Sequence, residues 1–229
     1  MRKILQNLAN SSKSDSLGNK FRRERIKVFK NYLQQISLSE INILDVGGTP
    51  IFWKNMMLEH KEYNLKITLL NLDKLNQEDD AFTYVQGDAR EMSMFKDKQF
   101  DLVFSNSVIE HVAGKKGVTF LDQENMANEI LRIGERFYVQ TPNYWFPMEP
   151  HFLCPFFQYF PVFLKGFLLR SFNLGWYSKT TDKEESLRIA KSIRLLTLKE
   201  MNTLFPNSHT HKEKFYGFVK SFTKYGDSL

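Results

Sequence analysis

Short apolar runs, each closed by a polar residue or a glycine, recur between residues 41 and 141. The runs are Ile41–Val46, Lys66–Leu72, Phe82–Gln86, Phe100–Ser105 and Arg136–Thr141. Two longer stretches, Phe21–Ile36 and Asp122–Ile133, instead carry apolar residues three to four positions apart, which predicts helices. Strands that alternate with helices in this way predict an α/β fold built on a parallel sheet.

The last part of the chain has a different pattern. Thr197–Leu204 predicts a helix that ends before Pro206. His209–Phe215 and Phe218–Tyr225 predict a terminal antiparallel pair that turns at Gly217. The sheet is therefore expected to be mostly, and not entirely, parallel.

Length and composition indicate one soluble domain. The chain has 229 residues, of which 42% are hydrophobic and 25% charged, enough to bury a core without disulfides. Residues 1–17 are polar and serine-rich and are predicted to be a flexible terminus, so that 18–229 form the domain. The single cysteine, Cys154, excludes an intramolecular disulfide and a cysteine-based zinc site, and it favours a reducing, cytoplasmic location.

The charge of the chain is positive. A net charge of +6 allows anionic partners, such as nucleic acid, a membrane surface or a phosphorylated substrate, without choosing among them. Basic residues gather in Lys20–Lys30, where they are interpreted as the solvated face of a helix. The longest uncharged apolar stretch of the C-terminal half, Phe152–Leu164, is shorter than the about 20 residues that span a bilayer.

Polar groups and glycines follow four consecutive predicted strands. They are Asp45, Gly47 and Gly48 after the first strand, Asn71 and Asp73 after the second, Asp88 after the third, and Asn106 after the fourth. In a doubly wound sheet the carboxyl ends of the strands are where a nucleotide-like ligand lies, and glycine lets such a ligand approach the backbone. A Gly-Gly turn alone is a weak signal. Four strand ends with suitable chemistry together predict a nucleotide-like cofactor.

Three segments carry a resemblance to a known family. Ile43–Gly48, Gly87–Ala89 and Phe100–Val112 resemble, in order and spacing, the motifs of class I S-adenosylmethionine-dependent methyltransferases, in particular the bacterial methyltransferase type 11 subgroup. The resemblance is good over residues 40–145 and looser beyond. It implies S-adenosylmethionine as the cofactor. It also implies a Rossmann-like, doubly wound, mostly parallel seven-stranded sheet with an aromatic-rich helical insertion, a cap at 145–190, before the last strands.

The resemblance also implies roles for the residues at the strand ends. Asp45, Gly47, Gly48 and Asn106 are expected near the methionine and ribose of the cofactor, Asn71 or Asp73 at the ribose hydroxyls, Asp88 at the adenine amine, and Ala89 beside the ring. Two positions depart from the family pattern. Thr49 stands in place of the second glycine of the turn, and Asn71 in place of the usual acid, which makes that contact neutral instead of charge-assisted.

Three residues are candidates for catalysis. Methyl transfer needs in-line positioning and, for an oxygen or nitrogen acceptor, can need a base. His111 follows the fourth strand and His151 the fifth, with Glu149 as the partner that orients His151 or as a substrate ligand. His209 and His211 are interpreted as exposed strand residues. The scarcity of clustered histidine, cysteine and acidic residues argues against a metal site.

Aromatic residues crowd the stretch Phe152–Trp176, which also carries Lys165 and Arg170. Three interpretations are open. The stretch forms a lid over the acceptor, or an interfacial helix on a membrane with its basic residues at headgroup level, or the core of a subdomain or a dimer interface. The membrane interpretation would place a cytoplasmic protein at the periphery of the inner membrane face.

The predicted function is methyl transfer to a small-molecule or a lipid- or saccharide-linked acceptor. An RNA or protein methyltransferase and a non-catalytic binding protein of the same fold stay open as alternatives. A nucleic-acid partner is disfavoured, because Ser105-Asn106-Ser107-Val108 lacks the Asn/Asp-Pro-Pro-aromatic turn of many base-modifying enzymes. A dehydrogenase is disfavoured because no Gly-x-Gly-x-x-Gly follows the first strand.

Overall fold

The computed structural model describes residues 3, 6, 17–57, 63–74, 79–114 and 116–228. The predicted flexible terminus, residues 1–17, lies outside this part of the chain apart from residues 3, 6 and 17. The strands are β1 (Ile41–Val46), β2 (Leu65–Asn71), β3 (Phe82–Gln86), β4 (Leu102–Asn106), β5 (Arg136–Pro142), β6 (Met148–Glu149), β7 (Cys154–Pro155), β8 (His209–Phe215) and β9 (Phe218–Asp227). The helices are α1 (Leu17–Leu33), α2 (Pro50–Met57), α3 (Phe120–Ile133), α4 (Val162–Ser171), α5 (Lys183–Lys191) and α6 (Leu198–Leu204), with a 3-10 turn at Phe157–Tyr159.

Seven of the strands form one sheet, in the order β3-β2-β1-β4-β5-β9-β8. The first five are parallel, while β9 pairs antiparallel with both β5 and β8. The strands β2 and β3 lie on one side of β1, and β4 and β5 lie on the other. This change of side places a crevice at the carboxyl ends of β1 and β4. The prediction of a Rossmann-like, mostly parallel seven-stranded sheet is confirmed.

The sheet separates two apolar cores. Because successive residues of a strand point to opposite faces, Ile43 packs on one side with Phe29 of α1, and Leu44 packs on the other side with Met126 of α3. All four side chains are almost fully buried. Helices on both faces therefore hold the strand ends in fixed positions.

The observed bounds of most elements lie within a few residues of the predicted ones. The α3 helix begins at Phe120, where Thr119 and Asp122 form a capping box, and it ends at Gly134 as expected. Asp101 stands just before β4 and accepts a hydrogen bond from the backbone nitrogen of Asn42 at 2.8 Å, which ties β1 to β4.

The segment 145–190, which we call the cap segment, forms an aromatic insertion before the last two strands. It contains the β6–β7 hairpin, the 3-10 turn, α4 and most of α5. Phe152, Phe157 and Leu169 form its small interior core. Other aromatic side chains face outward: Phe163 is 73% exposed and Phe167 55%.

Within the cap segment, residues 152–176 leave from His151 and return to it. The backbone nitrogen of Trp176 donates a hydrogen bond to the carbonyl of His151 at 3.2 Å. Gly175 has a φ of +48°, and a Cβ at this position would lie 2.3 Å from that same carbonyl oxygen. Only glycine allows the chain to close here.

The helices of the described ranges are all too short or too polar to cross a membrane.

Candidate functional site

The turn after β1 depends on two glycines for different reasons. Gly47 has a φ of +79°, and its backbone nitrogen donates to the carbonyl of Leu70 at 2.7 Å. A Cβ on Gly47 would lie 2.6 Å from Cγ2 of Val108, so the loop after β4 packs directly on this turn. A Cβ on Gly48 would lie 1.6 Å from Oδ2 of Asp45, so this glycine makes room for a carboxylate of the protein.

Asp45 is buried beneath the turn. Its Oδ2 accepts a hydrogen bond from Nε1 of Trp53 at 2.6 Å, and both residues are at most 1% exposed. Burial raises the pKa of Asp45 to about 7, although the hydrogen bond from Trp53 lowers it. Sequence reasoning missed Trp53, because a tryptophan eight residues after the acid reads only as a core residue of the following helix.

The groups at the ends of β2 and β3 also have partners within the protein. Nδ2 of Asn71 donates to the carbonyl of Gly48 at 3.0 Å, whereas Asp73 is exposed. The carboxylate of Asp88 accepts hydrogen bonds from Nη2 and Nε of Arg90, at 2.6 Å from Nη2. The Arg90 guanidinium holds the pKa of Asp88 below its usual range. Sequence reasoning missed Arg90 as the partner of Asp88.

The remaining cofactor candidates lie at the same edge of the sheet. Ala89 packs against the core, and Asn106 lines a small crevice with Phe52 and Tyr138. Thr49 accepts a hydrogen bond from the backbone nitrogen of Phe52 at the start of α2. The glycine turn, the Asn71 amide and the partly exposed Asp88 carboxylate have the chemistry that an adenosyl group needs, and their individual roles stay predictions.

In the segments that follow β4 and β5, four side chains form a group that we call the Glu/His cluster: Glu110, His111, Glu149 and His151. Nε2 of His111 lies 3.0 Å from Nε2 of His151, whose Nδ1 lies 2.8 Å from Oε1 of Glu149. Oε1 of Glu110 lies 3.9 Å from Nε2 of His151. The structure therefore brings the three predicted catalytic residues together and adds a carboxylate that sequence reasoning did not assign.

The two carboxylates of the cluster are held from behind. Oε2 of Glu110 accepts a hydrogen bond from the Thr141 hydroxyl at 2.9 Å, at the end of β5. Oε2 of Glu149 accepts one from the backbone nitrogen of Phe152 at 2.6 Å. Within the described ranges, Oε1 of Glu110 is buried and has no hydrogen-bond partner. The cluster thus contains one buried oxygen whose bonding capacity is unused.

The environment shifts the cluster's ionisable groups in different directions. Burial raises the pKa of Glu110. Burial and the neighbouring His151 lower the pKa of His111 to about 4, even though part of the His111 ring is exposed. Burial acts to lower the pKa of His151, but the hydrogen bond and charge of Glu149 and the charge of Glu110 outweigh it and raise that pKa.

A cavity of about 450 Å³ lies between the cap segment and residues 193–200. Its walls combine rings and polar groups: Tyr144, Glu149, Phe152, Phe157, Gln158, Lys165, Ala190, Ile193, Arg194, Leu195, Thr197 and Glu200. Glu149 belongs to both the cavity wall and the Glu/His cluster. Burial lowers the pKa of Lys165, and Arg194 forms an ion pair with Glu200. Sequence reasoning did not single out Gln158, Arg194 or Glu200.

His209 and His211 lie on β8, away from the sheet edge that carries the turn. His209 is exposed and packs against the ring of Tyr225, and His211 is half-buried.

With this geometry in place, comparisons with known proteins become informative. Residues 47–135 match a family model described as a methyltransferase domain. This match and the sheet order agree with the predicted class I methyltransferase family. The predicted family, and S-adenosylmethionine as the cofactor of that family, are confirmed at this level. No curated protein matches the sequence.

Solved structures similar to this chain support the fold. The CurJ carbon methyltransferase superposes with a TM-score of 0.55 at 11% identity, over 99% of this chain and 66% of that one. The N-terminal domain of EvdMO1 superposes with a TM-score of 0.51 at 12% identity, over 90% of this chain and 82% of that one. The chain spans 45%, 64% and 66% of the length of the first three structures it matches.

Proposed function

We propose that this chain transfers the methyl group of S-adenosylmethionine to a hydroxyl of a small polar acceptor, free or lipid- or saccharide-linked. The observation that carries the proposal is the cavity of about 450 Å³, whose wall shares Glu149 with the Glu/His cluster. Pockets of about 300–1,000 Å³ suit small ligands. An RNA or a folded protein would instead need an open surface.

The lining of the cavity favours an acceptor with hydroxyl groups. Lys165 and Gln158 offer polar atoms, and Oε1 of Gln158 has no hydrogen-bond partner within the described ranges. Tyr144 and Phe157 offer ring faces against which the apolar face of a sugar packs. The crystal structure of the N-terminal domain of EvdMO1 is described as determined in the presence of SAH and D-fucose, which is consistent with a saccharide acceptor on this fold.

The chemistry assigns separate tasks to the two sides of the crevice. Bound S-adenosylmethionine supplies a methyl carbon whose bond to sulfur breaks as its bond to the acceptor oxygen forms. The residues at the ends of β1 to β4 hold the cofactor in line with the acceptor, which is the main contribution to the rate. The acceptor hydroxyl loses its proton, and His111 and His151 stay the predicted bases, with Glu149 orienting His151.

Cofactor binding is the first test. Calorimetric titration with S-adenosylmethionine should show one site per chain, and Asp88→Ala should weaken it about 10-fold or more by removing an acceptor for the adenine amine. The variant Asp80→Ala changes an exposed acid with no assigned role, so it is the matched control and should leave binding unchanged. No binding at millimolar cofactor would contradict the proposal.

Acceptor binding is the second test. Transfer of radiolabelled methyl groups to a panel of sugars and sugar-linked lipids should be lowered by Lys165→Met, which removes a polar group from the cavity. Arg170→Met changes an exposed residue of the same helix and should leave transfer unchanged. Equal loss in both variants would argue against the cavity as the acceptor site. Transfer only to RNA or protein, or cofactor binding with no transfer, would favour one of the two alternative functions.

We also propose a cytoplasmic protein that contacts the inner membrane face through residues 152–176. Phe163 and Phe167 project from α4 into solvent, beside the basic Arg170. Co-sedimentation with anionic vesicles at low salt should be lowered by a Phe163→Ser/Phe167→Ser double variant. Wild-type protein that stays in the supernatant would contradict this location.

A further inference from the structure

The Glu/His cluster brings three electron-pair donors to one point. One ligand atom each from Glu110, His111 and His151 lies within 4.8 Å of the other two. The two Nε2 atoms are 3.0 Å apart, and Nε2 of His151 is 3.9 Å from Oε1 of Glu110. Both distances are below about 4.2 Å, the largest separation of two atoms that each lie about 2.1 Å from one metal ion.

Glu149 determines which nitrogen of His151 is free. Its Oε1 is 2.8 Å from Nδ1 of His151, so Nδ1 carries the hydrogen and donates it to the carboxylate. Nε2 of the neutral ring then keeps its lone pair, and this is the atom that faces His111 and Glu110. A carboxylate behind a histidine is the usual arrangement around a metal-binding imidazole.

A hydrogen bond between the histidines leaves the cluster incomplete. A hydrogen on Nε2 of His111 can satisfy Nε2 of His151, but Oε1 of Glu110 remains buried and without a donor in the described part of the chain. A buried carboxylate oxygen without a partner is costly. One cation contacted by all three atoms would remove that cost.

We propose that Glu110, His111 and His151 bind one divalent transition-metal ion of the Zn²⁺ and Co²⁺ type. Two imidazoles with one carboxylate suit such ions better than Mg²⁺ or Ca²⁺, which prefer oxygen. The exposed side of His111 leaves coordination positions for water or another ligand. Metal binding does not depend on which acceptor is methylated. With the ion bound, the Nε2 atoms of His111 and His151 would not be free to act as bases, and the ion would instead lower the pKa of an acceptor hydroxyl, a role that rests on the proposed function.

Titration of the full chain with Co²⁺, followed by visible absorption, tests the site directly. One ion per chain should bind and produce ligand-field bands. His111→Asn and Glu110→Gln should each weaken binding about 100-fold or more, because each removes a ligand. Glu149→Gln should weaken it about 10- to 100-fold, the effect expected for a residue that only orients a ligand.

The other histidine pair provides the matched control. A His209→Asn/His211→Asn double variant changes two histidines on β8 and should bind Co²⁺ as the wild type does. His111 is exposed, so His111→Asn should keep the fold, as circular dichroism would verify, even if Glu110→Gln does not. Unchanged binding in His111→Asn, loss only in the β8 variant, or no binding at millimolar Co²⁺ would each overturn the proposal. Calorimetry with S-adenosylmethionine on the same samples distinguishes this failure from a failure of methyl transfer.

Discussion

The β1 turn and the Glu/His cluster lie at the same end of the sheet but use their polar groups in opposite ways. At the β1 turn and at the neighbouring end of β3, the protein itself supplies the partner of each acid. Trp53 donates to Asp45, and Arg90 donates to Asp88. In the cluster, Glu110 keeps one buried oxygen without a partner in the described ranges, and the two histidine Nε2 atoms face each other.

This difference distinguishes polar groups that stabilise the fold from polar groups that are available to bind a ligand. Groups that are already satisfied add rigidity and gain little from a new partner. Groups left unsatisfied in the folded chain gain most when a ligand arrives. In the proposed function, the turn is a preformed wall for the cofactor, and the cluster and the adjoining cavity are the places where the ion and the acceptor would bind.

Substituting Gly48 should break the turn and has the largest expected effect. The new Cβ of Gly48→Ala would meet the Asp45 carboxylate at 1.6 Å, and this carboxylate is buried and bonded to Trp53. We expect a loss of about 3 kcal/mol or more in the free energy of unfolding, measured by urea denaturation.

Two further variants test the cause of that loss. Gly217, unlike Gly48, has a positive φ, and a Cβ there would meet nothing within 4 Å, so Gly217→Ala shows the cost of backbone strain without a clash, near about 1 kcal/mol. The double variant Asp45→Ala/Gly48→Ala should recover part of the loss, since the clashing carboxylate is gone. A Gly48→Ala variant that costs no more than Gly217→Ala, or a double variant that recovers nothing, would show that the carboxylate does not decide the loss.

The pH dependence of stability tests whether Asp45 is buried in its neutral form. Its pKa rises from 3.8 to about 7 on folding, so between these values the unfolded chain is ionised while the folded chain keeps the proton. Stability should therefore fall as the pH rises through this window and level off above it. Between pH 5 and pH 8 we expect wild type to lose about 2–3 kcal/mol more than Asp45→Asn in urea denaturation. Identical pH profiles would mean that Asp45 is already ionised in the folded chain.

A smaller effect is expected in the cavity, where function and stability should oppose each other. Burial disfavours the charged form of Lys165, so Lys165→Met should raise the free energy of unfolding by about 1 kcal/mol. The exposed Arg170→Met should change it by less than about 0.5 kcal/mol. Thermal denaturation of both variants makes the comparison. A Lys165→Met variant that is less stable than the wild type would show instead that Lys165 stabilises the fold.

The sheet could be predicted from sequence because its signals are local. Ile41–Val46 and Phe82–Gln86 have the predicted bounds, since each is a short apolar run closed by a turn. The α2 helix has eight residues, and each strand of the β6–β7 hairpin has two. These elements are too short to show a periodic pattern, and they were not predicted. The α5 helix was also missed, although Asp182 caps it through its side chain.

The candidate site was predictable only in part. His111 and His151 could be placed at the same edge because each follows a parallel strand. Their contact could not, since it joins residues 40 positions apart through a loop and a hairpin. Glu110 was overlooked as a member of the cluster because its neighbours Val108 and Ile109 suggest a packing role. Its burial against Thr141 depends on the register of β4 and β5, which the sequence does not state.

The closure of the cap segment on itself has a consequence for how such a protein can diversify. The chain leaves at His151 and is fastened to the same residue again at Trp176, so the aromatic stretch is a loop with both ends anchored beside the imidazole. Changes within that loop would alter the part of the cavity wall that Phe152, Phe157 and Lys165 form while the backbone of His151 keeps its place. In the proposed function, the loop could therefore set which acceptor enters, and the anchor would keep the imidazole in position.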